Sequence, residues 1–128
     1  MLGSGYDAYQ NTSVQAKAAG ADIHTLVLML FEGFLDELER VVGHIEAKRF
    51  DKKAEGIEKM MRILGGLEAS LDQQSSDKVV SQMQQLYQHC GQALLQASLQ
   101  NDLQYVENVK IIMTNLQEGW QDLGSQAA

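Results

Sequence analysis

Apolar residues recur along this chain at intervals of three and four, in four blocks separated by short polar stretches. The first block, Ile23, Leu26, Val27, Leu30, Phe31, Phe34, Leu38, Val41, Val42 and Ile45, draws the one-sided stripe of an amphipathic helix. Asp22 is a good N-cap for it, and Lys48 and Arg49 place positive charge at its C-terminal end, where the helix dipole favours it. The spacing predicts a helix over 22–47. A second stripe, Ile57, Met60, Met61, Leu64, Leu67 and Leu71, follows Asp51 as its candidate cap. The polar run 72–76 reads as a loop, and Asp77 as the cap of a third helix carrying Val79, Val80, Met83, Leu86, Tyr87, Cys90, Leu94 and Ala97. Asn101, with Gln104 three residues on, has the spacing of a capping box. The fourth helix it opens carries Leu103, Val106, Val109, Met113, Leu116 and Trp120, with Tyr105 and Ile112 beside the stripe.

Four helices of roughly 20 to 26 residues are each about 30 to 40 Å long. Short connections make sequential helices antiparallel neighbours, so the expected fold is all-α, an antiparallel up-down four-helix bundle. The bundle is expected over 22–123. Residues 1–21 form an N-terminal arm, loose or holding a short extra helix, with Tyr6, Tyr9 and Val14 as its sizeable anchors. Residues 124–128 are expected to be a disordered tail. Gly56, Gly65 and Gly66 interrupt the second helix at about 1 kcal/mol each relative to alanine, which marks close helix contact, a bend or local mobility.

Composition supports this picture and narrows the partners. The chain has 128 residues, no proline and little β-branched clustering, which favours one helical domain. Seventeen acidic residues against ten basic ones leave a formal charge of −7. That argues against nucleic acid and anionic membrane, both of which require Lys and Arg clusters. One cysteine makes no internal disulfide and fits a reducing cytosol. No apolar run reaches the roughly 20 residues that span a bilayer. The first residues have neither the basic start nor the apolar centre of a signal peptide.

Chemistry is expected to be absent. Di-metal bundles supply Glu-x-x-His pairs, but the residues three before His24, His44 and His89 are Ala21, Val41 and Leu86. There is no Cys-x-x-Cys and no phosphate loop, so neither metal nor cofactor is expected and the chain does not read as an enzyme. Cys90 lies on a core stripe and reads as a small buried hydrophobe. His24, in a first helical turn, reads as a surface residue.

What remains is surface for binding. Leu28, Met29 and Leu35 lie off the first stripe, and Ile63, Leu95, Leu99 and Ile112 off the other three. Either another helix covers them or another protein does. From Val79 to Asn101 there is no charged residue, and the polar positions are glutamines such as Gln84, Gln88 and Gln92. A neutral flank costs less to desolvate than one lined by Lys and Glu, although glutamine is also a good helix former that simply faces water.

These residues resemble the FliS family of flagellin-specific export chaperones. The resemblance rests on Tyr9-Gln10, Asp22-Ile23-His24 and the run Leu26-Val27-Leu28-Met29-Leu30-Phe31-Glu32-Gly33. Further on it rests on Leu67, Ser70-Leu71-Asp72, Leu86-Tyr87, Leu94, Ala97, Asn101-Asp102, Leu116 and Trp120. One departure is Ile23, where the family commonly has a proline that pre-sets the first helical turn. The resemblance implies a cytosolic bundle that binds the disordered C-terminal segment of flagellin, prevents premature polymerisation and delivers the subunit to a component of the flagellar type III export gate. It also implies that the arm carrying Tyr6, Tyr9 and Val14 folds over part of the groove when no client is present. Leu28, Met29, Leu35, Ile63, Leu95, Leu99 and Ile112 are then the candidate client contacts. A homodimer that buries the same residues across a two-fold axis is the alternative.

Overall fold

The computed structural model describes residues 22–71 and 77–127, with side chains at 22–71 and 78–123. Four helices account for them: α1 (Ile23–Glu46), α2 (Phe50–Ala69), α3 (Asp77–Gln100) and α4 (Leu103–Ala127). Among the described residues there is no strand. Each helix packs on its two neighbours around a ring, α1 on α2, α2 on α3, α3 on α4 and α4 on α1, and side chains of all four meet in one core. Three cross-links fix the directions. The start of α1 meets the end of α4 through His24 and Trp120, the start of α2 meets the end of α3 through Lys53 and Ser98, and Lys59 of α2 reaches Glu37 of α1. The bundle is therefore antiparallel and up-down, as the stripes and short connections predict.

α1 begins as expected: the Asp22 carboxylate accepts from the Thr25 backbone N–H and hydroxyl, both at 3.0 Å, which holds its pKa below the ordinary carboxylate value. Isoleucine at position 23 leaves this cap intact. α1 ends at Ala47, and the chain reverses through Lys48 in the left-handed region (φ 59°), with the Arg49 N–H donating to the His44 carbonyl at 2.8 Å.

Two expected caps are displaced. Asp51 does not cap α2; the cap position is Arg49, which makes no side-chain capping bond, and Asp51 sits inside the first turn where it complements the dipole. Asn101 does not cap α4 either. It takes the left-handed conformation (φ 54°) that closes α3, and Asp102 accepts the Gln104 N–H at 2.9 Å in its place. Both shifts have one cause: a turn of two or three residues leaves each polar side chain a choice of two helix ends. Asp77 is already helical, and the loop expected at 72–76 lies outside the described residues. α4 continues to Ala127, so the backbone at 124–127 is helical where a tail is expected; no proline stops it. The arm, with Tyr6, Tyr9 and Val14, lies outside the described residues.

The core is built from the predicted stripes. Phe31, Phe34, Leu38, Met60, Leu67, Leu94, Val106, Val109 and Met113 are fully buried, and Cys90 sits among them. Burial pushes the Cys90 thiol up to about 11. Two charged side chains are buried against expectation. Glu37 accepts from Arg40 at 2.9 Å and lies 3.5 Å from Lys59, tying α1 to α2. Lys53 donates to the Ser98 carbonyl and to Asn101 Oδ1, each at 2.7 Å, and its ammonium lies 5.2 Å from the Phe50 ring centre. Among the described residues no buried side-chain nitrogen or oxygen lacks a hydrogen-bond partner.

Candidate partner-binding surfaces

The seven candidate contact residues do not converge on one patch. Leu95 and Leu99, one helical turn apart on α3, are 53% and 77% exposed. Gly91 stands one turn before Leu95 and faces Met61 of α2, so this row runs along the outer edge of the α2/α3 seam. At its far end Phe50, 44% exposed, is held beside α3 by the Lys53 ammonium that also bonds Ser98 and Asn101. Phe50 is missing from the sequence reading because it precedes the expected Asp51 cap.

Met29 and Ile63 flank a second seam. A methyl group on Gly33 would lie 3.8 Å from Ile63 Cδ1, and Met29 is one turn before Gly33 on the same face. Met29 is exposed, whereas Ile63 is half-buried and packs on the core. Leu28 and Leu35 share a third position, the flank of α1 that also carries Glu39, whose carboxylate meets Lys110 of α4 at 2.9 Å. Both are half-buried, and Leu35 packs on the core, as does Ile112 of α4. The structure therefore leaves Met29, Leu95 and Leu99 largely exposed and turns Leu35, Ile63 and Ile112 mainly inward. Exposed Ile111, Val79 and Leu123 are further apolar positions that periodicity assigns to stripes or passes over.

His24 is not the free surface residue expected. Its ring stacks on Trp120 with centroids 5.1 Å apart and planes 12° from parallel. Among the described residues there is no group of three or more His, Cys, Asp or Glu side chains arranged to hold a metal ion, and no helix long and apolar enough to cross a membrane. The chemistry these surfaces offer is burial of apolar area on three separate tracks around the bundle.

The family described as flagellar protein FliS matches residues 5–127. The chain is 33% identical over 126 residues to the flagellar secretion chaperone FliS of Salmonella typhimurium (strain LT2), covering 98% of this chain and 93% of the relative. It is 33% identical over 119 residues to the protein of the same name from Escherichia coli (strain K12), covering 92% and 88%. The Bacillus subtilis (strain 168) flagellar secretion chaperone FliS is 27% identical over 115 residues, covering 90% and 82%. With a match along almost its whole length, the chain belongs to the flagellar protein FliS family.

Proposed function

We propose that this protein is a flagellar export chaperone that binds the disordered C-terminal segment of flagellin in the bacterial cytosol, keeps it from polymerising and hands it to the export gate. The observation that carries the reading is the exposed pair Leu95 and Leu99 on a helix without a charge from Val79 to Asn101, joined by Phe50 across the seam. A disordered client folds as it binds and meets its ordering entropy at that moment. It therefore gains more from several shallow apolar tracks spread around a bundle than from one pocket, and an amphipathic helix laid in a seam is the economical way to cover each track. Nothing in this role requires bond chemistry. Met29 and Ile63 on the α1/α2 seam, and Leu28, Leu35 and Ile112 on the flanks of α1 and α4, are the remaining contacts in this reading.

Co-expression with the flagellin of the same organism tests it. A stoichiometric soluble complex is expected with intact flagellin, and none with flagellin lacking its C-terminal segment. Equal binding of both overturns the proposed mode. A tight dimer of this chain that flagellin does not dissociate, seen by light scattering over a concentration series, would instead assign the exposed leucines to self-association.

A further inference from the structure

The charges of the bundle are divided between its two halves. α1 and α4, with their capping residues Asp22 and Asp102, carry ten carboxylates against two cations, Arg40 and Lys110. α2 and α3 carry five of each sign. Because α1 packs on α4 and α2 on α3, this is a division in space, an acidic side backed by a neutral one. A field of this kind attracts and orients a cationic partner.

The acidic side is also apolar in the right places. Leu28, Glu32, Leu35 and Glu39 follow one another at intervals of four, three and four, so they share one flank of α1, the flank that Glu39 turns toward Lys110. On α4, Ile111 is 53% exposed, with Glu107 one turn before it and Glu118 two turns after it on the same face. Glu32, Glu107 and Glu118 are exposed, and Lys110, the one cation of α4, bonds Glu39 and also lies in the field of Glu107. Apolar anchors alternating with exposed carboxylates on two adjacent helices complement a helix with a leucine stripe edged by lysine or arginine. They repel a nucleic acid or an anionic bilayer.

We propose that the α1/α4 side is a docking surface for a basic amphipathic helix of a protein partner, separate from the α2/α3 side, which has no net charge and carries Leu95 and Leu99. The inference stands whether or not flagellin occupies the neutral side. A client segment held by Leu95, Leu99 and Phe50 and a basic helix held here then occupy opposite halves of the bundle, and they compete only where Leu28 and Leu35 serve both.

A labelled amphipathic peptide of about 18 residues, five turns of leucine and lysine at helical spacing, serves as the probe. Anisotropy titration is expected to show saturable binding that weakens at least about tenfold between roughly 0.05 and 0.5 M salt, as the Debye length shrinks. The paired variant Glu32→Lys/Glu118→Lys is expected to lose at least about tenfold in affinity, and Ile111→Ser several-fold. The control pair Glu55→Lys/Glu58→Lys changes net charge by the same amount on the neutral half and is expected to leave binding within about twofold. Equal losses from the two pairs would reduce the effect to net charge and overturn the proposal. So would a peptide that does not saturate, or one insensitive to Ile111→Ser.

Discussion

The Trp120 indole N–H donates to the His24 backbone carbonyl at 2.9 Å, while His24 Nε2 lies 2.6 Å from the Trp120 backbone carbonyl, and the two rings stack between these bonds. A carbonyl only accepts, so the His24 proton sits on Nε2. The pair closes the ring of helices by clasping the first turn of α1 to the last part of α4, 96 residues away in the chain. Each half of the clasp is worth about 1–2 kcal/mol, from one partly buried hydrogen bond and the shared stacking. In urea unfolding, His24→Ala and Trp120→Phe are each expected to lose about that much. Together they are expected to lose about 1 kcal/mol less than their sum, because the stacking is shared by the two side chains while each hydrogen bond runs to a backbone carbonyl that the other substitution leaves in place. Strict additivity would show that the two residues do not act as a unit.

Gly56 and Gly65 of α2 are expected to respond to alanine in opposite directions. A methyl group on Gly56 would sit 2.6 Å from Val41 Cγ2 and 3.2 Å from Glu37 Oε1, so α1 and α2 have to separate or Val41 has to leave its rotamer. That overpacking costs about 1–3 kcal/mol and exceeds the helix-propensity gain of about 1 kcal/mol. At Gly65 nothing lies within 4 Å, and only the gain remains. Thermal melts of Gly56→Ala and Gly65→Ala should move to lower and higher temperature respectively.

Lys48 and Asn101 both hold left-handed backbone, at φ 59° and 54°, for different reasons. Asn101 tolerates this conformation and accepts from buried Lys53, so Asn101→Ala should destabilise by about 1–3 kcal/mol by straining the turn and removing an acceptor from a buried ammonium. Lys48 is exposed and gains nothing comparable. Lys48→Gly should stabilise by about 1 kcal/mol, read as a higher urea midpoint with an unchanged slope.

The buried thiol makes alkaline stability pH-dependent. Folding raises the Cys90 pKa from 9.0 to about 11, so the folded chain keeps a proton that the unfolded chain releases. Its contribution is therefore fully present below pH 9 and is lost as pH rises through about 11. The slope is about 1 kcal/mol per pH unit. Tyr87, its phenol raised by burial, acts in the same direction at higher pH. Cys90→Ala should lower stability at pH 7 by leaving a small cavity and should flatten the decline between pH 9 and 11. A decline as steep in the variant would assign it to other groups.

Leu95→Glu separates apolar from electrostatic client binding. At 53% exposure the new carboxylate reaches water in the free protein, so helicity and melting temperature should hardly change. In a complex that buries this position the charge loses its hydration, and flagellin affinity should fall by at least about a hundredfold. Calorimetry of the parent chain at about 0.1 and 1 M salt should show little difference, since α3 offers the client no charge to screen from Val79 onward. A silent substitution together with strong salt dependence would move the client to the acidic half.

The sequence by itself determined the four helices and their core. Stripes such as Phe31, Phe34, Leu38 and Val41 report burial through a period of 3.6, and two of the three short connections leave sequential helices no other direction than antiparallel. The Asp22 cap was legible too, because its partner Thr25 is three residues away. What tertiary structure alone decided is everything that depends on which flank meets which neighbour. Periodicity names the side that is not core, but it does not say whether a side chain at the edge of the stripe lies in a seam or in water. Ile63 and Ile112 fell into seams while Met29, Leu95 and Leu99 did not, and Phe50 became exposed because α2 starts one residue before the apparent cap. Glu37 carried a readable hint, standing inside a stripe between Phe34 and Val41, but its second cation, Lys59, belongs to another helix. Lys53 and the clasp of His24 with Trp120 carried none: their partners lie 45 to 96 residues away, and only the register between packed helices brings them together.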